Sequence, residues 1–86
     1  MIHKIYSVYD SKAESHTPPF FQHHEAMALR TFQDCCNDKA HTFGMHPEDY
    51  TLFDLGSYDD QTGRITQENV ISVANGISLI TQENTQ

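Results

Sequence analysis

Six histidines and two cysteines in 86 residues are the side chains of this chain best suited to chemistry. His23-His24, Cys35-Cys36, His41 and His46 lie within 24 residues, and metal coordination is what such a set would perform. Structural zinc sites draw ligands in pairs about two to four residues apart, on a turn that aims both at one ion. Adjacent pairs splay instead, by about 100° per residue on a helix. His-His and Cys-Cys are therefore poor zinc pairs, and no metal site is expected. Neighbouring cysteines close no useful loop and fit neither a redox spacing nor a secreted disulfide framework. The expected role for Cys35 or Cys36 is that of a small hydrophobe on the inner face of a helix.

The carboxylates offer acid–base chemistry at Glu48-Asp49 and Asp59-Asp60. General acid–base pairs act across a cleft, with one partner's pKa raised by burial. Neighbours on a turn do neither. Asp59-Asp60-Gln61-Thr62-Gly63 also lacks the alternating oxygen ligands and distal Glu of a calcium loop. There is no Gly-x-Ser-x-Gly and no glycine-rich phosphate loop. The expectation is a non-enzymatic protein with no catalytic residues and no cofactor.

Nucleic-acid contact is the sharper possibility. Lys4, Tyr6, Tyr9, Lys12 and Arg30, with Phe20 and Phe21 nearby, are the residue types with which single-strand binders stack on bases and contact phosphates. The competing reading places Tyr6, Phe20 and Phe21 in the core and leaves three scattered cations. Charge bears on the choice. Residues 1–33 balance Lys4, Lys12 and Arg30 against Asp10, Glu14 and Glu25, while residues 34–86 set Lys39 and Arg64 against nine acids and carry the whole net charge of −7. Most nucleic-acid binders show a basic stripe, because releasing counterions from phosphates supplies much of their affinity. Any such surface here belongs to the N-terminal third.

These residues need elements to position them. Ile2, Ile5, Tyr6, Val8 and Tyr9 form a β-branched and aromatic run that predicts a strand over 2–9. Residues 10–21 read as a loop, since Pro18-Pro19 forbids a helix. Ala28, Leu29, Phe32, Cys35 and Cys36 recur at spacings of three and four, which predicts a helix over about 23–37. His46-Pro47 sets an extended turn. Tyr50 to Ser57 alternates as a strand, with Thr51, Phe53 and Leu55 on one face and Tyr50, Leu52 and Asp54 on the other. Asp59 to Gly63 is a hairpin loop, and Arg64 to Thr66 begins the return. Val70, Ile71 and Val73 cluster, Asn75-Gly76 turns, and Ile77, Leu79 and Ile80 suggest a last strand. The polar end, 81–86, is expected to fray.

The order β-α-β-β, with a fourth strand if the tail pairs, predicts an α+β domain over residues 1–80. Its antiparallel sheet of three to four strands carries one helix packed on one face. No apolar run approaches the roughly 18 residues of a membrane span, and the N-terminus has no signal-peptide core, so a reduced cytosolic protein with no membrane contact is expected. Small size and exposed sheet edges favour a homodimer.

Several segments, taken in order, resemble one family. They are Ile5-Tyr6-Ser7-Val8-Tyr9-Asp10, Pro18-Pro19-Phe20, and Ala28, Arg30 and Phe32 in the helix, then Asn37-Asp38 and His46-Pro47-Glu48-Asp49-Tyr50. Leu52, Leu55-Gly56 and Asp59-Asp60 with Gly63 follow. Their order and spacing resemble the small nonstructural protein of gokushovirus-type microviruses, tiny single-stranded DNA phages. The resemblance spans roughly residues 1–66, about three quarters of the chain. His23-His24 and Cys35-Cys36 are not features of that family, and the tail beyond Thr66 departs from it.

The resemblance implies a protein absent from the capsid and made in the host bacterial cytoplasm. It would act in viral genome replication, or in the switch from double-stranded copies to packaged single strands. Such a role is met by binding single-stranded DNA, through Lys4, Tyr6, Tyr9, Lys12 and Arg30. It is met equally by binding the replication initiator or a host replication protein. An acidic surface can also imitate nucleic acid in a partner's basic groove.

Overall fold

A computed structural model describes residues 1–81 of the chain. Its strands are β1 (Ile2–Asp10), β2 (Ser15–His16), β3 (Phe20–Gln22), β4 (Tyr50–Asp59), β5 (Arg64–Thr66) and β6 (Ile71–Asn75). Between β3 and β4 lie the helix α1 (Glu25–Cys36), the one-turn helix α2 (Thr42–Met45) and a 3-10 turn at Pro47–Asp49. A second 3-10 turn, Gly76–Leu79, follows β6.

The α+β class and the packed helix are as expected, but among the described residues the sheet has six strands and a different order. β1 and β4 are the two long central strands and pair antiparallel along their whole length. The short strands β2 and β3 share the outer side of β1, while β5 and β6 share the outer side of β4. The expected loop over 10–21 thus holds two strands. Pro18-Pro19 breaks the edge into pieces rather than removing it, because a proline lacks the donor that a continuous ladder needs. The piece before the prolines is tied down where Thr17 N–H donates to the Val8 carbonyl at 2.8 Å and Val8 N–H donates to Thr17 Oγ1 at 3.0 Å.

The helix has the predicted core stripe. Ala28, Phe32 and Cys36, four residues apart, are buried against Tyr6 and Val8 of β1 and Tyr50 and Leu52 of β4. Phe43 of α2 and Leu79 and Ile80 of the tail pack on the same cluster. The expected last strand over Ile77–Ile80 is instead the 3-10 turn. Asn75 Oδ1 accepts from Ile77 N–H at 3.0 Å and starts the turn. Asn37 at the end of α1 then holds it, donating to the Leu79 carbonyl at 3.0 Å and accepting from Thr81 N–H at 2.8 Å. One local cap, from Asn75, and one long-range cap, from Asn37, thus outcompete the strand pattern of Ile77, Leu79 and Ile80. Beyond Thr81, the expected frayed end lies outside the described residues.

One irregularity sets the register. Ile5 lies opposite Gly56 and Tyr6 opposite Asp54, so Leu55 is an extra residue that bulges β4. Gly56 adopts φ +134°, and a Cβ there would collide with the Thr66 carbonyl of β5. Only glycine lets β4 recover its alternation after the bulge while β5 stays paired.

Candidate nucleic-acid interface

Alternation along β1 and β4 divides their side chains between two faces. Lys4, Tyr6 and Val8 share one face with Leu52 and Asp54, beneath the helix. His3, Ile5, Ser7 and Tyr9 share the other with Thr51, Phe53 and Tyr58. Because α1, α2 and the Gly76–Leu79 turn all pack on the first face, no helix among the described residues covers the second.

That open face is roofed by rings in two groups. At one end, the Tyr9 ring lies 4.9 Å from His16 and 6.1 Å from Phe53, and His16 lies 5.3 Å from Phe53, all between centroids. At the other end, Tyr58 lies 6.1 Å from His3 and 5.9 Å from Phe21, and His3 lies 5.1 Å from His23. His3 and Tyr9 are six positions apart on β1, about 20 Å at the rise of an antiparallel strand. Between the groups, Ile5 and Ser7 are buried beneath the rings. Ser7 Oγ and His16 Nδ1 share a hydrogen bond of 2.7 Å, which fixes the His16 ring over the strand. His3 Nε2 is 2.8 Å from Asp60 Oδ2, and Asp60 Oδ1 accepts from the N-terminal ammonium at 2.7 Å. These two partners, the ammonium first, hold the Asp60 carboxyl below its ordinary value.

The five residues expected to bind nucleic acid do not form one surface. Tyr9 stands on the open face. Tyr6 is fully buried under α1, where loss of solvent, then Asp54 and Glu25, push its phenol up to about 12. It cannot stack on a base, because its other face of contact is already filled by the core, and of the two readings of Tyr6 the core reading holds. Lys4 points to the helix side and pairs with Asp54 at 3.1 Å. Lys12 lies in the exposed turn after β1, whose backbone is held by Asp10 Oδ1. Arg30 is exposed on α1, beside a groove that includes Ala26, Gln33 and Asp34. The cations are scattered, as the competing reading has it.

Phe21 departs from both that reading and the helix-side core. It is 51% exposed and faces the open side, whereas its neighbour Phe20 points into the core against Tyr6. Sequence reasoning set Phe21 beside Tyr9 in the stacking set but missed Phe53, Tyr58, His3 and His16 as its surface partners. The signal for Phe53 was period-2 alternation, which separates Thr51 and Phe53 from Tyr50 and Leu52; Tyr58 joins their face only because Leu55 bulges β4. The pairing of Tyr9 with His16 and of Ile5 with Phe21 crosses a turn that has no such pattern.

The histidine and cysteine pairs weighed for metal do not converge. Among the described residues, one group of three ligand-bearing side chains draws together, His46, Glu48 and Asp49, at the turn before β4. Two carboxylates and one exposed imidazole on a single turn fall short of a four-ligand zinc set. Cys36 is buried in the core, and burial, with Cys35 beside it, pushes its thiol up to about 11.

Among the described residues, no helix is long and apolar enough to cross a membrane. Residues 3–79 match the family model described as Phage ORF5 protein. No curated protein and no solved structure matches the chain.

Proposed function

The chain belongs to the Phage ORF5 protein family, and from that premise we propose that it acts in replication of a single-stranded DNA phage genome by binding single-stranded DNA. The resemblance to gokushovirus-type nonstructural proteins supports the replication role and the host cytoplasm as its place of action. The observation that carries the binding mode is the open sheet face, with Tyr9, Phe53 and His16 at one end and Tyr58, Phe21 and His3 at the other. Single-strand binders use rings on a sheet in this way, because every base has a face to stack on, and each stacked base contributes about 1–3 kcal/mol.

The binding is led by stacking rather than by phosphate contacts. Lys4 is paired on the other side of the sheet, Arg30 is on α1, and Lys12 lies in the turn after β1 rather than on a strand. A shallow salt dependence follows, since few counterions are displaced. No catalytic step is assigned to any residue.

The net charge of −7 favours a second reading, an adaptor that holds a basic replication protein. Fluorescence anisotropy with a labelled single-stranded oligonucleotide, at low and at physiological salt, separates the two. Saturable binding that Phe53→Ala weakens by about 10- to 100-fold supports the stacking face. Absence of binding at low salt removes it and leaves the adaptor.

A further inference from the structure

The two edges of the sheet are built differently. At the β2–β3 edge, each strand is two or three residues long and Pro18-Pro19 separates them. Charged or ionisable side chains of Lys12, Glu14, His23 and Glu25 flank this edge. Short strands, prolines and charges are the devices by which sheet edges avoid pairing with other chains.

The β5–β6 edge has few of them. No ionisable side chain occurs between Glu68 and Glu83, the longest such stretch in a chain of net charge −7. β6 lies within it, contains no proline, and pairs on one side only, with β4, among the described residues. Its one guard is the bulge opposite Leu52 and Phe53. Four branched aliphatic side chains of this region, Ile65, Val70, Ile71 and Ile77, are each at least half exposed.

We propose that β6 pairs antiparallel with β6 of a second copy, joining two sheets edge to edge. The occupant is a second copy rather than another protein because charge selects it. Two copies repel across any acidic surface, and this stretch brings them together without opposing like charges. Antiparallel pairing of identical strands is also self-complementary about a two-fold axis, so one strand supplies both halves of the interface. That axis stands perpendicular to the sheet. The open faces of the two copies therefore lie on the same side, and the helices on the other.

The size of the contact sets its strength. A five-residue strand presents about 17 Å of edge, and interfaces below about 1,200 Å² are weak and reversible. The dimer is accordingly expected to dissociate in the micromolar range.

Sedimentation velocity of the full chain, without nucleic acid, tests this over concentrations from about 1 to 300 µM. The expected result is a monomer that shifts to a dimer with rising concentration, and a loss of that shift in Ile71→Lys. Amide hydrogen exchange of the unaltered protein gives a second readout that no folding defect can confuse. Protection at Ile71–Asn75 should rise with concentration while that at Phe20–Gln22 does not. A monomer throughout the range overturns the proposal. So does a dimer whose β6 amides gain no protection. Neither result touches the DNA reading, because no DNA is present.

Discussion

On the helix-covered face, Tyr6, Val8, Tyr50 and Leu52 are buried beneath Ala28, Phe32 and Cys36. On the open face, Tyr9, Phe53 and Tyr58 of the same two strands keep part of their surface in water. Both sets are rich in aromatics, and composition alone cannot tell them apart. What separates them is a second layer. A half-buried ring has already lost some of its water and is held in place by its neighbours. It therefore gives up little freedom when a flat partner covers it, whereas a core ring has no free side to offer.

Substitutions that break this contrast should differ first in stability. Leu52→Ala opens a cavity at the centre of the covered face and should cost about 2–5 kcal/mol in urea unfolding, enough to threaten a domain of this size. Gly56→Ala should cost about 1–3 kcal/mol through its left-handed backbone alone, with the Thr66 carbonyl adding to the loss. A chemical denaturation series on these two variants would check both.

Phe53→Ala sharpens the contrast from the other side. It should cost less stability than Leu52→Ala, because its ring is only partly buried. Its effect belongs on DNA binding, where about 10- to 100-fold is expected in the anisotropy titration. If the stability loss equals that of Leu52→Ala, the open face is a second core and not a binding surface.

Tyr6→Phe should be close to neutral, or stabilising by up to about 1 kcal/mol. The Tyr6 hydroxyl is buried with no hydrogen-bond partner among the described residues. The same substitution should leave DNA binding unchanged, which separates Tyr6 from Tyr9.

The smallest effect is absent at neutral pH. The Cys36 thiol and the Tyr6 phenol are pushed up to about 11 and about 12, from ordinary values of 9.0 and 10.0, mainly by loss of solvent. Their raised values mean that the covered face is fully stable below pH 9 and loses stability as pH rises toward 11 and beyond. An alkaline unfolding curve should therefore move to higher pH in a Cys36→Ala, Tyr6→Phe double variant, compared at matched neutral-pH stability.

Where each side chain repeats at a regular interval, the fold was legible. Ala28, Phe32 and Cys36 announce the helix and its inner stripe, and Tyr50 to Phe53 announces β4 with the correct two faces. The short strands β2 and β3 were not legible, because two or three residues carry no period and are defined by β1 beside them. The Gly76–Leu79 turn was misread for a related reason: its apolar residues fit a strand, but caps from Asn75 and Asn37 decide the backbone. Of the residues expected to contact nucleic acid, Tyr9 and Phe21 stand on the open face. Lys4 and Arg30 are near the aromatics in sequence, yet a strand and a helix direct them elsewhere.

By itself, the sequence determined the charge imbalance, the helix, the two central strands and the family resemblance, since each rests on residue type or on spacing within one segment. Only the tertiary structure decided which aromatics are core and which are surface. That choice depends on the side of the sheet that α1 covers, and helix placement follows from contacts between segments distant in sequence. The edge strands and the scattering of the cations were decided in the same way, by packing across the sheet rather than along the chain.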